Sequence, residues 1–291
     1  MEKEIKNNSI EKNNKTFKIC GITIWRILAY FVLYSILGYI IETVFGLLTK
    51  GVLESRKSFL IGPFCAIYGL GAVAIILPLQ YFKKNNYSLF FGGFLIGSIV
   101  EYIVSWFGEV VLNVKWWDYS SEPLNLNGRI CVFFSLFWGI LAIYLMTHVN
   151  VKVDKVIDKL KDKFKNNIKL MRGIVLGLII FMFLDCAYTW VALRMFYVRL
   201  QDNYNLELQG VGAYAQKYNE IYENNENVRK YVDKYLSDER ILRTFPNLRV
   251  LDKEGNMIYI DSVIKTIQPY YYKIYDPKEK LKSLEERYGE E

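Results

Sequence analysis

Five stretches of this chain stay apolar long enough to cross a bilayer, and short polar or charged segments separate them. About 20 helical residues span the ~30 Å hydrocarbon core of a membrane. The runs Ile27–Leu48, Phe59–Phe82, Tyr87–Val114, Ile130–Val149 and Gly173–Leu193 meet that requirement. Membrane β-strands would be shorter and would alternate in polarity. The pattern therefore predicts an all-α integral membrane protein with five transmembrane helices.

The polar segments divide the chain into three parts. Residues 1–20, rich in Lys, Asn and Glu, read as a disordered cytoplasmic tail. The apolar run that follows is too long for a signal-peptide core and has no small-residue cleavage site after it, so it is expected to stay as the first span. Residues 21–200 form the transmembrane domain. Within it, Val153, Val156, Ile157, Leu160, Phe164 and Ile168 recur at three and four residues with lysines between them, which predicts an amphipathic helix over 151–169. Such a helix either lies on the anionic inner leaflet or offers a docking surface to a cytoplasmic partner. Residues 201–291 are polar and Tyr-rich and read as a small α+β unit. It has one amphipathic helix through Tyr218–Leu236, a hairpin pairing Leu248–Leu251 with Met257–Ile260, and an N-cap at Asp276-Pro277.

Charge sets the expected orientation. The formal net charge is +7, and the positive residues cluster in alternate loops. Lysines precede span 1, Lys83 and Lys84 follow span 2, and the segment from Lys152 to Arg172 is strongly basic. The loops between spans 1 and 2 and between spans 3 and 4 carry few. Positive-inside bias puts the N-terminus in the cytoplasm of a multi-pass plasma-membrane protein, and five spans would leave the C-terminal unit outside. No basic stripe is interleaved with aromatics, so nucleic acid is not expected as a partner.

Two polar signatures recur inside the apolar runs. Gly38-Tyr39-Ile40-Ile41-Glu42 is echoed by Gly97-Ser98-Ile99-Val100-Glu101, and each is followed by a G-x-x-C element, Gly62–Cys65 and Gly128–Cys131. The order suggests one membrane hairpin used twice. Two intervening spans would give both copies the same orientation, so the first four spans read as two parallel pseudo-repeated hairpins. Cys65 and Cys131 occupy equivalent places, either as bridge partners or as small residues at helix contacts.

Span 3 carries Gly93, Gly97, Glu101, Ser105 and Glu109 at four-residue spacing, one slowly drifting stripe on a helix. Span 1 repeats it as Gly38, Glu42 and Gly46, and span 5 as Gly173, Gly177, Asp185 and Thr189. Small residues in such stripes let helices approach closely, whereas acids at membrane depth are costly and point to function. The candidate substrate-path or coupling residues are Glu42, Glu101, Glu109, Asp185 and Tyr68, with Asp118 and Arg129 at the outer mouth. Arg129 is the nearest cationic partner for one of the carboxylates. A plainer reading makes these acids protonated or hydrogen-bonded glue between helices. Pro63 and the glycines of Gly62–Gly71 suggest a broken or re-entrant start to span 2. Trp106, Trp116, Trp117 and Tyr119 read as interfacial anchors.

Several chemistries are not expected. His148 is the single histidine, which argues against His-based metal sites and Ser-His-Asp triads. No phosphate-binding G-x-x-x-x-G-K-[ST] loop occurs. No catalytic residue, metal or cofactor is assigned, and the chain reads as a non-enzyme.

Gly38-Tyr39 with Glu42-Thr43, Gly62-Pro63-Phe64-Cys65 with Ile67-Tyr68-Gly69, Glu101-Tyr102, Trp117-Asp118-Tyr119-Ser120 and Asn125 with Gly128-Arg129-Ile130-Cys131 together resemble the CmpB-like family of ABC-transporter type IV, permease-like membrane proteins. Ala66 departs from that pattern, which has proline there. The resemblance implies a transport component, a permease-like subunit served by a separate ATPase. On that reading the membrane carboxylates line an outward-facing polar cavity, and the 151–169 helix docks the partner. Two alternatives from other classes are a proton- or cation-coupled transporter or channel, and a non-transporting scaffold or sensor presenting the C-terminal unit. The expected partners are the lipid bilayer, the ATPase and a second copy of the chain.

Overall fold

The computed structural model of the chain describes residues 17–112 and 115–279. The tail expected over 1–20 lies outside the described residues up to position 16. Its end, Lys18–Ile19 (β1), pairs antiparallel with Ile22–Thr23 (β2) just before the first helix.

The described residues are mostly helical, and their strands form only two-stranded sheets and no barrel. Helix α1 spans Ile24–Lys50, α2 Ala66–Leu79, α3 Asn86–Phe107, α4 Val132–Tyr144, α5 Asn150–Lys163 and α6 Ile168–Tyr204. A π-turn, Gly108–Leu112, extends α3, and another, Leu145–Val149, joins α4 to α5 as one continuous rod. Four helical segments are long and apolar enough to cross a membrane: Ile24–Lys50, Asn86–Val111, Val132–Lys163 and Lys165–Tyr204. The helical segment Ala66–Phe82 is apolar but shorter. The apolar run expected from Phe59 becomes helical only at Ala66, because the preceding residues form an irregular loop around Gly62-Pro63. There Phe64 N–H donates to the Gly62 carbonyl and Cys65 N–H reaches across to the Ser35 carbonyl of α1. Irregular backbone of this kind is tolerated at depth where protein surrounds it.

Local chemistry sets the helix ends. Gly51 closes α1 in the left-handed conformation at φ +67°, the usual role of glycine after a helix. The Asn85 side chain accepts from Tyr87 and Ser88 N–H at the start of α3, satisfying donors that the first turn would otherwise leave unpaired.

Helix α1 packs on α2, α3 on α4, and α2 on α3, with α6 against α1. Ile27, Tyr30, Ile75, Ile76, Leu89, Ala142, Met146, Val153 and Ile157 form one core at the lysine-rich end of the bundle. The apolar face expected on the 151–169 segment is thus partly spent against the bundle: Val153 and Ile157 are buried, and Val156 and Leu160 remain exposed.

The 37 residues of α6 make a rod about 55 Å long, much longer than the bilayer core is thick. Its first half exposes Leu176, Ile180, Phe183 and Leu184, while Ala192, Phe196, Tyr197, Val198 and Leu200 are almost fully buried. These buried residues form the centre of the C-terminal unit, packed by Val211, Val232, Leu236, Ile241, Val250 and Ile260. In place of the single helix expected through 218–236 there are two, α7 (Gly212–Asn224) and α8 (Glu226–Tyr235). The Asn225 side chain caps the second by accepting from Asn227 and Val228 N–H. Helix α9 (Asp238–Thr244) follows, and the expected hairpin forms as β6 (Arg249–Leu251) with β7 (Met257–Tyr259).

The unit is tied to the loop after α1. Val52–Leu53 (β3) pairs with Tyr272–Lys273 (β8), Leu60 enters the C-terminal core, and Lys50 donates to Asn247 at 2.7 Å.

Candidate functional site

The repeated glycine-to-glutamate signature has a steric explanation. A Cβ on Gly38 would overlap Cβ and Cγ of Tyr68. The Tyr68 ring therefore lies directly over that glycine, and its hydroxyl donates to Glu42 Oε1 at 2.6 Å. A Cβ on Gly97 would likewise overlap Cβ and Cγ of Trp138, whose indole N–H donates to Glu101 Oε2 at 3.0 Å. In both places the return helix sends an aromatic side chain across the glycine, and its polar end meets the carboxylate one turn further on. Four residues of helix advance about 6 Å, within the reach of a tyrosine or tryptophan ring. The register differs between the two pairs: Tyr68 follows Cys65 by three positions, Trp138 follows Cys131 by seven.

The acids differ sharply in their partners. Glu42 is half-buried, with the Arg56 guanidinium at 3.9 Å. Arg56 bonds Glu54 more closely, at 2.6 Å, and Glu54 is also held by Lys50 at 2.9 Å. Glu101 is buried, 7% exposed. It accepts from Trp138 and, at 2.9 Å, from the Tyr119 hydroxyl, so among the described residues its hydrogen-bond donors are both neutral. The Tyr119 ring stacks on Phe134 at 4.6 Å. Burial, reinforced by the charge of Glu101, pushes the Tyr119 phenol well above its ordinary pKa and keeps it a donor.

Asp185 sits elsewhere. Its two oxygens accept the backbone N–H groups of Ile61, at 3.1 Å, and Gly62, at 2.6 Å. One turn on, Thr189 accepts Leu60 N–H at 2.8 Å. Together they clamp the irregular loop before α2 onto α6. Gly173 and Gly177, expected on the same stripe, are exposed, and a Cβ on either would meet nothing. That part of the stripe is not a helix contact. In α3, by contrast, Gly93, Gly97, Glu101 and Ser105 are all buried, as the spacing implied.

Glu109 lies in the π-turn that ends α3, a wider turn that shifts it off the Glu101 stripe. It meets Arg129 at 2.5 Å. Arg129 also lies over the Tyr102 ring, 5.3 Å from its centroid; burial works to lower its pKa, but the Glu109 carboxylate and the Tyr102 hydroxyl together outweigh it and raise it. The 115–131 loop is closed on itself. Trp117 Nε1 donates to the Arg129 carbonyl at 2.9 Å, Tyr119 N–H to the Gly128 carbonyl at 2.7 Å, and Asn125–Leu126 (β4) pairs with Ile130–Cys131 (β5). Asp118 bonds Lys115 at 2.6 Å and Ser120. Burial opposes its ionisation, but these partners outweigh it and hold the carboxyl at about 2.

Glu109 is thus brought to Arg129, Glu42 to Tyr68, and Asp118 to Lys115 rather than to Arg129. Among the described residues no hydrogen bond or ion pair joins Glu42, Glu101 and Asp185 to one another. Cys65 and Cys131 are separate, buried free thiols. Sequence reasoning passes over Trp138, Glu54 and Arg56. Trp138 carried a usable signal, as an aromatic N–H donor inside an apolar run opposite a carboxylate-bearing one. Arg56 and Glu54 carried none, since charged loop residues are ordinary.

The chain matches the family described as "Putative ABC-transporter type IV" over residues 29–190. No curated protein and no solved structure gives a significant match. The family match takes in both glycine–aromatic–glutamate pairs, the Asp185 clamp and the closed 115–131 loop, and stops where α6 enters the C-terminal unit. By that match, over more than half its length, this helical membrane protein belongs to the CmpB family of ABC-transporter type IV proteins.

Proposed function

We propose that the chain is a permease-like transport component of the plasma membrane, without an ATPase of its own. In this reading Ala66–Phe82 is also a crossing, giving five with the N-terminus in the cytoplasm, and α1–α2 and α3–α4 are two parallel hairpins. The same glycine–aromatic–glutamate contact in each pair supports that repeat. Glu101 carries the functional reading. A carboxylate buried inside a crossing segment is expensive, and a purely structural one is ordinarily matched by a cation or several backbone amides. Glu109 and Asp185 have such partners, whereas Glu101 has two neutral side-chain donors. The path is placed along Glu101, with Glu42 and Tyr68 in the first hairpin, Glu109, Arg129 and Asp118 at the outer mouth, and Asp185 holding the loop beside it. No catalytic step is assigned.

The exposed Val156 and Leu160 on α5 are the docking face for an ATPase subunit. Gentle purification of the tagged full chain from its native membranes should recover a protein with a P-loop and ATP hydrolysis, and Val156→Asp with Leu160→Asp should lose it. Recovery of no ATPase in repeated purifications sinks this reading.

The neutral surroundings of Glu101 also favour a second mechanism, coupling to a proton or cation without ATP. It requires Glu101→Gln to abolish a pH-dependent flux while the protein stays folded. If Glu42→Gln and Glu101→Gln both leave every phenotype intact, a scaffold or sensor role for the C-terminal unit replaces both.

A further inference from the structure

A cavity of about 330 Å³ opens at the lysine-rich end of the bundle, where the β1–β2 hairpin, the start of α1, the end of α2 and helix α5 meet. Its deep wall sets one guanidinium against two carboxylates, a net charge of −1. Arg26 pairs with Asp154 at 2.9 Å and Asp158 at 3.1 Å, and Tyr30 also donates to Asp154. Its rim is not neutralised. Lys18, Lys83 and Lys161 line it from three separate elements, and none forms an ion pair among the described residues. Three ammonium groups against that one surplus carboxylate leave the hollow with a net charge of +2 among the described residues, and an anion relieves their mutual repulsion. The volume falls within the range of small-ligand sites.

The side chains beside those lysines say which anion. Phe17 and Ile19 flank Lys18, Tyr81 and Phe82 precede Lys83, and all four are exposed apolar or aromatic groups. Gly21 and Tyr81 approach each other, so the two sets flank one opening. An apolar fringe around a basic hollow between helices suits a group that is anionic at one end and hydrocarbon at the other.

We propose that this cavity binds the phosphate of an anionic lipid headgroup, with Lys18, Lys83 and Lys161 as its cationic contacts and Phe17, Ile19, Tyr81 and Phe82 against the acyl chains. The site is independent of the transport reading. A soluble phosphate ester shares the headgroup chemistry, so the test has an arm for each source. The full chain is placed in nanodiscs of phosphatidylcholine and phosphatidylglycerol in equal parts, and the lipid it retains is read by native mass spectrometry. Phosphatidylglycerol should be retained preferentially. Lys18→Gln with Lys83→Gln and Lys161→Gln should weaken retention on the order of 100-fold, roughly fivefold per lysine. The corresponding Arg variant should keep it. Lys163→Gln with Lys165→Gln and Lys169→Gln, which removes equal charge outside the cavity, should change little. If the triple Gln variant does not fold, Lys83→Gln alone should still show its fivefold loss.

In the second arm, glycerol phosphate is added to phosphatidylcholine nanodiscs and thermal unfolding is followed. Stabilisation that depends on the three cavity lysines, without phosphatidylglycerol retention, supports the phosphate site with a soluble occupant and overturns the lipid. Equal loss in both Gln variants, or neither retention nor stabilisation, overturns the site.

Discussion

Asp185→Asn tests whether this carboxylate belongs to a transport path or holds the loop before α2. The wild-type oxygens accept Ile61 N–H at 3.1 Å and Gly62 N–H at 2.6 Å, with Asp185 only 2% exposed. Asparagine keeps one acceptor oxygen and turns its amide toward the other donor, so one buried backbone N–H loses its partner. A hydrogen bond to a charged group contributes about 1.5–3 kcal/mol. If the loop opens locally, that loss raises the open population roughly 10- to 150-fold. Hydrogen–deuterium exchange of the detergent-solubilised protein reads it directly, since Pro63 has no amide and the signal over Leu60–Phe64 comes from few positions. Thr189→Val, which removes the acceptor of Leu60 N–H at 2.8 Å, should accelerate the same segment by roughly fivefold, for a net bond of about 1 kcal/mol. Exchange around Gly97–Glu101 should not move in either variant. If exchange over 60–64 is unchanged in Asp185→Asn while transport is lost, the clamp argument is wrong and Asp185 acts on the path.

Gly97→Val drives a branched side chain into Trp138 and should cost about 1–3 kcal/mol through overpacking, lowering the thermal midpoint and shifting the tryptophan emission. Gly71→Ala, where a Cβ meets nothing, should be neutral or slightly stabilising. Asp118 ionises at about 2 rather than 3.8; because its folded-state pKa is depressed, its contribution is complete above the unfolded value and lost as pH falls from 3.8 toward 2. After allowance for solvent screening that contribution is about 1 kcal/mol, and acid unfolding curves of Asp118→Asn should lack that component. Cys20, at the lysine-rich end, and Cys186 are exposed, and Cys65 and Cys131 are buried. In a Cys186→Ser background a membrane-impermeant maleimide should therefore label Cys20 in inside-out vesicles alone; labelling in right-side-out cells would reverse the proposed orientation.

Hydrophobic run length and glycine spacing were sufficient to place the four helices long and apolar enough to cross a membrane and the shared face of α3. Both signals are local: a run either covers the hydrocarbon or does not, and residues four apart share a helix face. That periodicity sets Gly93, Gly97, Glu101 and Ser105 on one seam, and all four are buried. The same spacing misleads in α6. Gly173 and Gly177 repeat the stripe but face no neighbour, because which part of a helix is covered depends on where other helices end. Likewise Phe59–Phe82 reads as one apolar run, yet backbone N–H groups at Leu60, Ile61 and Gly62 leave the helix to meet α6.

By itself, then, the order of residues determined that this is a helical membrane protein, which apolar helices carry acids, and that two segments share a glycine–glutamate pattern. Partner identity was decided only in three dimensions. Tyr68 and Trp138 stand at different offsets from their cysteines, yet each crosses a glycine to reach a carboxylate. Arg129 meets Glu109 instead of Asp118, and Asp185 meets backbone rather than another side chain. The physical reason is range. Helix periodicity fixes a residue's face over a few ångströms of chain, whereas charge compensation depends on groups brought together across as many as 132 positions of sequence, and no local pattern encodes their separation.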